Sequence, residues 1–153
     1  MAAPIVIELL GHEQLQRILQ AVGQQAAPVI DAATRSGGQI IANEAKRLAP
    51  FRSGSLRRSI TVRKVPGASG EPGYVVGPTE PYGLYVEYGT GIFNTQGGGR
   101  MTPWTYRAGD GSWVTTRGNR PQPYLRPAFS AKQAEALQEI SDAVVALVTG
   151  AAP

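Results

Sequence analysis

The 153-residue sequence has no cysteine and a single histidine, His12. Disulfide frameworks, thiolate nucleophiles, iron–sulfur ligation and the usual zinc sites are thereby excluded or nearly so, which suits a reducing cytoplasm. No run approaches the roughly 20 apolar residues of a membrane helix, and the start has neither the basic region nor the long apolar core of a signal peptide. Export and membrane contact are not expected, and neither a cofactor nor a metal. The length fits one domain, 1–153, large enough to bury a core without staples.

Catalytic groupings are missing too. His12 falls at an expected helix start, far from any partner in sequence, and reads as a surface or capping residue. Glu44 and Glu87 could pair as carboxylates, but nothing in the sequence brings them together, and Glu44 has Lys46 and Arg47 close by. Ser53 and Ser55 lack the Gly-x-Ser-x-Gly frame of a nucleophile elbow. Gly97-Gly98-Gly99 lacks the Lys-Ser/Thr and helix that a phosphate loop needs. No catalytic residue is assigned, and an enzyme is not expected.

What the sequence does have is uneven charge. The net charge is +4, yet from Lys46 to Lys64 there are seven basic residues, Lys46, Arg47, Arg52, Arg57, Arg58, Arg63 and Lys64, and no Asp or Glu. The last expected helix carries Glu135, Glu139 and Asp142. A chain with a basic middle and an acidic end can attract its own copies. Glycine (19) and proline (12) are abundant and concentrate after Pro66, so the second half should be rich in loops.

Ile5-Val6-Ile7 after Pro4 reads as a short strand. Leu15, Ile18, Leu19 and Val22 then fall at helical spacing, predicting a helix that ends near Gly23. A second helix should start at about Pro28, with Val29, Ile30, Ala33, Ile40, Ile41, Ala45 and Leu48 on one face up to Pro50. Gly37 and Gly38 interrupt it, as a kink or, the favoured reading, where another backbone packs closely. Phe51–Ser55 reads as a turn, Ser59–Val65 as a half-buried strand and Tyr74–Gly77 as its partner. Tyr82–Tyr88 suits strand or helix. Trp104-Thr105-Tyr106 and Trp113-Val114-Thr115-Thr116 flank Asp110-Gly111, a hairpin signal, so 92–119 is expected to form a projecting loop or β-hairpin arm. From Ala128 a helix carries Phe129, Leu137, Ile140, Val144, Leu147 and Val148 on one face, with 149–153 a frayed tail. The order predicts an α+β fold: a small antiparallel sheet with helices on one face, the arm and a C-terminal helix.

Two features point outward. Arg52, Arg57, Arg58, Arg63 and Lys64 could neutralise phosphates of nucleic acid in a salt-dependent way. They could also form a solvated strand face or pair with acidic groups of a neighbouring subunit. Only Phe51 is interleaved with them, so single-strand stacking is not indicated. Phe93, Trp104, Tyr106 and Trp113 lie in a region too loop-like to bury them all, which suggests a protein interface or a small satellite core under the hairpin.

Three blocks in order give the sequence a resemblance. Ala45-Lys46-Arg47-Leu48-Ala49-Pro50 with Ser53-Gly54-Ser55-Leu56-Arg57-Arg58-Ser59-Ile60 is similar to A-P-x-x-T-G-x-L-x-x-S-I. Tyr82 with Tyr85-Val86-Glu87-Tyr88-Gly89-Thr90 is similar to Y-A-x-Y-V-E-F-G-T, and Pro121-Gln122-Pro123-Tyr124-Leu125-Arg126-Pro127-Ala128 to P-Q-P-F-L-R-P-A. Together they resemble the HK97 gp10-like family of tailed-phage neck and tail-completion proteins. Ser53 stands where threonine is usual, Gly83 where alanine is, and Tyr88 and Tyr124 where phenylalanine is. The resemblance implies a non-enzymatic virion component, assembled in the host cytoplasm as a homo-oligomeric ring, a hexamer by expectation, at the head–tail junction. Its neighbours would be a connector or stopper, a tail terminator or the tail tube, with DNA passing through the centre and non-specific contact with it. Arg52, Arg57, Arg58, Tyr85, Glu87, Phe93, Trp104, Tyr106, Trp113, Tyr124 and Arg126 are the expected interface residues. Among them Arg57, Arg58 and Arg126 serve as interface or scaffold arginines, and Tyr85, Glu87 and Tyr124 fix the junction.

Overall fold

The structure is a computed structural model that describes residues 12–66 and 72–150. The strand expected at Ile5–Ile7 lies outside them. The first described element is α1, His12–Leu48, a helix of 37 residues with Pro28 inside it. This corrects the expectation of two helices divided between Gly23 and Pro28. A proline inside a helix costs about 3 kcal/mol through its missing N–H and the crowding of the carbonyl four residues back. Gly23, Gln24 and Pro28 are all exposed, so water solvates the carbonyl that Pro28 leaves unpaired, and the packed C-terminal half carries the helix through.

Pro50 follows the end of α1, and beyond the turn expected at Phe51–Ser55 the chain forms a single helical turn, α2 (Ser55–Ser59), that was not expected. The antiparallel strands β1 (Ile60–Pro66) and β2 (Pro72–Pro78) come next, in the register Val62 opposite Val76 and Lys64 opposite Tyr74. Tyr82–Tyr88 resolves its ambiguity as a helix, α3. A 3-10 turn at Gly91–Phe93 leads to the hairpin β3 (Trp104–Arg107) and β4 (Trp113–Thr116), paired as Trp104 with Thr116 and Arg107 with Trp113. The chain closes with α4, Leu125–Thr149. The expected α+β class is observed: two small antiparallel sheets and four helices.

α1 organises the rest, because α4 packs along it and the β1–β2 sheet lies on it as well. The contact with α4 is antiparallel, with Gly37 against Ala136 and the Ser36 hydroxyl donating to Glu139 at 2.9 Å. A Cβ on Gly37 would stand 3.0 Å from the Ala136 carbonyl oxygen, which agrees with the close-packing reading of this glycine. The core is lined with small residues, Ala42 and Ala45 of α1, Ala49 just after it and Ala128 of α4, filled by Leu56, Ile60 and Tyr124. Burying a side chain such as Ile60 contributes about 1.5–3 kcal/mol. Val62 and Val76 pack against this core from the sheet, and Lys64 (2.8 Å) and the Tyr74 hydroxyl (3.0 Å) both reach Asp31 of α1. The Lys64 ammonium chiefly holds the Asp31 carboxyl below the usual carboxylate range.

Because alanines make the inner face of α4, its large apolar residues are left outside. Ala128, Ala136 and Leu147 are buried, whereas Phe129, Leu137, Val145 and Val148 are exposed. Of the face predicted from spacing, only Leu147 is buried.

Candidate assembly surfaces

The polar centre of the fold is Glu87. It lies in α3 and is completely buried, yet it faces the start of α4, where the backbone N–H groups have no carbonyl within their own helix to accept them. Tyr124, at the cap position, offers no side-chain cap. Glu87 supplies one from a distant part of the sequence. Its carboxylate accepts from the backbone N–H of Tyr124 (2.7 Å), Leu125 (2.8 Å) and Arg126 (3.1 Å), and from Arg126 Nε (2.9 Å). The Arg126 guanidinium also donates to the Glu87 carbonyl (3.2 Å) and stacks 4.9 Å over the Tyr88 ring. Burial works against ionisation of Glu87, but the three N–H groups and the guanidinium outweigh it and hold the carboxyl below its ordinary range. The α4 N-terminus favours the same negative charge.

Tyr124 completes this joint by donating its hydroxyl to the Gly83 carbonyl at 3.3 Å. Burial, aided by the charge of Glu87, pushes the phenol well above its usual range, so it stays a donor. Two departures from the resemblance therefore touch each other. A Cβ at Gly83 would sit 2.9 Å from the Tyr124 hydroxyl and 2.5 Å from Pro78 Cγ. The extra hydroxyl occupies space where the usual alanine would carry its methyl group. Gly83→Ala is expected to cost about 2–3 kcal/mol in urea denaturation, and about 1 kcal/mol less in a Tyr124→Phe background, because the two changes are coupled through contact.

A second joint ties the arm to α3. The backbone N–H groups of Thr90 and Ile92 donate to the carbonyls of Asn119 (2.9 Å) and Arg117 (3.0 Å), and the N–H of Gln122 to Val86 (2.8 Å). Gly91 lies at φ +60°, and a Cβ there would stand 1.9 Å from the Arg117 carbonyl oxygen. Beyond this root, β3 and β4 pack chiefly on each other.

The structure separates the expected interface residues into four groups. Glu87 and Tyr124 are fully buried in the chain's own joint, with Arg126 half-exposed at its rim. Arg57 is half-buried and committed internally: its Nε donates to the Ala49 carbonyl (2.9 Å) and its guanidinium stacks 5.2 Å over Phe51. Arg52, Arg58 and Tyr85 are open to solvent, and Arg52 and Tyr85 line a cleft of about 950 Å³ with Phe51, Leu56, Tyr82 and Arg120. On the arm, Trp113 is 73% exposed and Tyr106 is also exposed. Phe93 and Trp104 are half-buried under the guanidinium groups of Arg120 (5.2 Å) and Arg100 (5.6 Å).

Sequence reading missed Met101, 73% exposed in the arm, and the outer stripe of α4. Alanines placed among larger apolar residues were the available signal, since the smaller side chains allow the closer helix contact. Among the described residues there is no cluster of groups able to hold a metal ion, and no helix is long and apolar enough to cross a membrane.

The fold thus combines a long scaffold helix, a short helix whose buried glutamate caps the last one, and uncovered apolar side chains on the arm and on α4. Residues 13–89 match the family described as "Bacteriophage HK97-gp10, putative tail-component", and the chain belongs to that family. It is a structural protein of the phage tail-component type. The match runs from α1 to the end of α3 and so includes Glu87, while the partner segment Tyr124–Arg126 lies beyond it. No curated protein and no solved structure matches the chain.

Proposed function

We propose that this chain is a virion protein acting as one domain that assembles into a closed homo-oligomeric ring, a hexamer, at the head–tail junction. DNA passes through the centre, and a connector or stopper, a tail terminator or the tail tube lies on either side. The observation that carries this reading is the presence of uncovered large side chains on two different faces. One is the arm, with Trp113, Tyr106 and Met101, and the other is the outer stripe of α4, with Phe129, Leu137 and Val148. Two unlike patches on one chain favour a head-to-tail contact, which closes into a ring when its rotation divides the circle evenly.

Charge supports the same arrangement. Four carboxylates of the described residues form ion pairs within the chain: Asp31 with Lys64, Glu44 with Arg47, Glu87 with Arg126 and Glu135 with Lys132. Arg52 and Arg120 line the aromatic cleft, Arg58 donates to the Ser53 carbonyl beside it, and among the described residues none of the three forms an ion pair. They are available to a neighbouring subunit or, on the side that faces the channel, to DNA phosphates.

Arg52 and Arg58 give the cleaner test, because removing Arg57 would also break its bond to Ala49. Arg52→Ala with Arg58→Ala is expected to change stability by no more than about 0.5 kcal/mol while lowering ring formation at least tenfold. Native mass spectrometry of the purified chain reads the second effect. Unchanged assembly by the double variant would remove these arginines from the interface.

A further inference from the structure

We infer that the groove between α4 and β2 receives the Ile5–Leu10 segment of a neighbouring copy, which adds a strand to the open edge of β2. This rests on the ring reading and names the contact that would close the ring.

The groove has a volume of about 710 Å³, and Gly37, Gly38 and Ile41 of α1 form its floor. Its walls are Tyr74 and Val76 of β2 on one side and residues of α4 such as Phe129 and Leu137 on the other. Phe129 and Leu137 are more than half exposed although they flank an apolar trough. Among the described residues β2 pairs only with β1. The groove is lined by β2 and by no residue of β1, so the unpaired edge of β2 faces the trough. An open strand edge beside an apolar trough is the arrangement in which an extended segment is added as a new strand, its main chain pairing with the edge and its alternate side chains filling the trough.

The segment Ile5-Val6-Ile7-Glu8-Leu9-Leu10 fits such a place, since it opens with the most β-prone run in the chain and carries one charge. From Thr34 to Ile41 the floor is about 10 Å long at 1.5 Å per helical residue, which three or four residues of strand span.

Distance decides which copy supplies the segment. Along α1, Thr34 lies about 33 Å from His12 and the glycine pair about 38 Å. Fully extended from His12, Ile7 reaches at most about 18 Å and Ile5 about 25 Å. The apolar run therefore falls short of its own groove for as long as α1 is helical, and a neighbour must provide it. Each copy gives one strand and receives one, through two different surfaces, which is the head-to-tail geometry of a ring.

The absence of cysteine makes the test direct. Full-length chains carrying Ile7→Cys with Thr34→Cys, or Ile7→Cys with Gln133→Cys, place thiols at either end of the groove; each is oxidised and analysed by non-reducing electrophoresis and native mass spectrometry. The proposal expects most of the chain, in at least one of the two variants, in disulfide-linked ladders up to the size of the ring, and at least tenfold less of them in the single-cysteine chains. A monomer with an internal disulfide would overturn it by showing that the segment reaches its own groove. Oligomers of normal size without the disulfide would overturn the strand exchange and leave the ring standing. Monomers without a crosslink would overturn both.

Discussion

Glu87→Ala is expected to destabilise the chain by about 3–5 kcal/mol, a large part of the total stability of a domain this size. The loss has two sources. Three backbone N–H groups at the start of α4 lose a buried acceptor, at about 1–3 kcal/mol for a donor left unsatisfied, and the Arg126 guanidinium loses its carboxylate. Because α4 supplies Ala128 and Ala136 to the packing on α1, the damage spreads from the cap to the core. Glu87→Gln keeps one oxygen acceptor and should cost less, about 1–3 kcal/mol.

The pH dependence of the parent chain follows from the same bonds. Glu87 titrates below its ordinary value in the folded chain, so its contribution is fully present above the unfolded pKa, near 4.3, and is lost as pH falls through the folded value. Urea denaturation at about pH 7 and about pH 3.5 should therefore show a steeper acid loss for the parent chain than for Glu87→Gln. Equal acid sensitivity of the two would show that the carboxylate is not held as described.

Gly91→Val is expected to release the arm without melting the helices. The position combines φ +60° with a carbonyl oxygen 1.9 Å from where a Cβ would sit, and a β-branched side chain tolerates neither. Relief requires separating the 90–92 segment from 117–119 and breaking the bonds between them, at about 2–4 kcal/mol. β3 and β4 pack chiefly on each other, so the opening is local. Tryptic cleavage at Arg100, Arg107 and Arg117 should rise roughly 30- to 1000-fold, following the population of the opened state, while the circular dichroism of α1 and α4 is retained. Cleavage at the parent rate would show that the root tolerates a side chain at this position.

Much of this architecture was legible in the sequence, for identifiable reasons. The hairpins were readable because the alternation of Ile60 and Val62, and the Asp110-Gly111 pair between Trp104 and Trp113, are local signals. Gly37 was readable as a close approach because helical spacing resumes in phase beyond it. The continuity of α1 was not readable, since Pro28 and Gly23 break a helix by local propensity and only their exposure makes them tolerable. For α4, periodicity marked the large apolar residues as one face and could not reveal that alanines would win the contact with α1.

For the candidate surfaces, the type of residue was legible and the partner was not. Of Tyr85, Glu87 and Tyr124, expected together at the junction, Glu87 and Tyr124 meet, with Arg126 beside them, as a joint within one chain, while Tyr85 is exposed. No spacing rule links a glutamate to a helix start 37 residues later. Arg52, Arg58, Tyr85, Tyr106 and Trp113 are exposed, and their partners are a matter of proposal.

The central proposal is that copies of this chain close into a ring at the head–tail junction, and cryo-electron microscopy of intact particles tests it most directly. The account predicts a closed six-fold ring of this fold between head and tail, with DNA or an open channel on its axis and the arm of each copy against the next. Particles in which the chain is absent from the junction, or is present there as isolated copies without mutual contact, would contradict it.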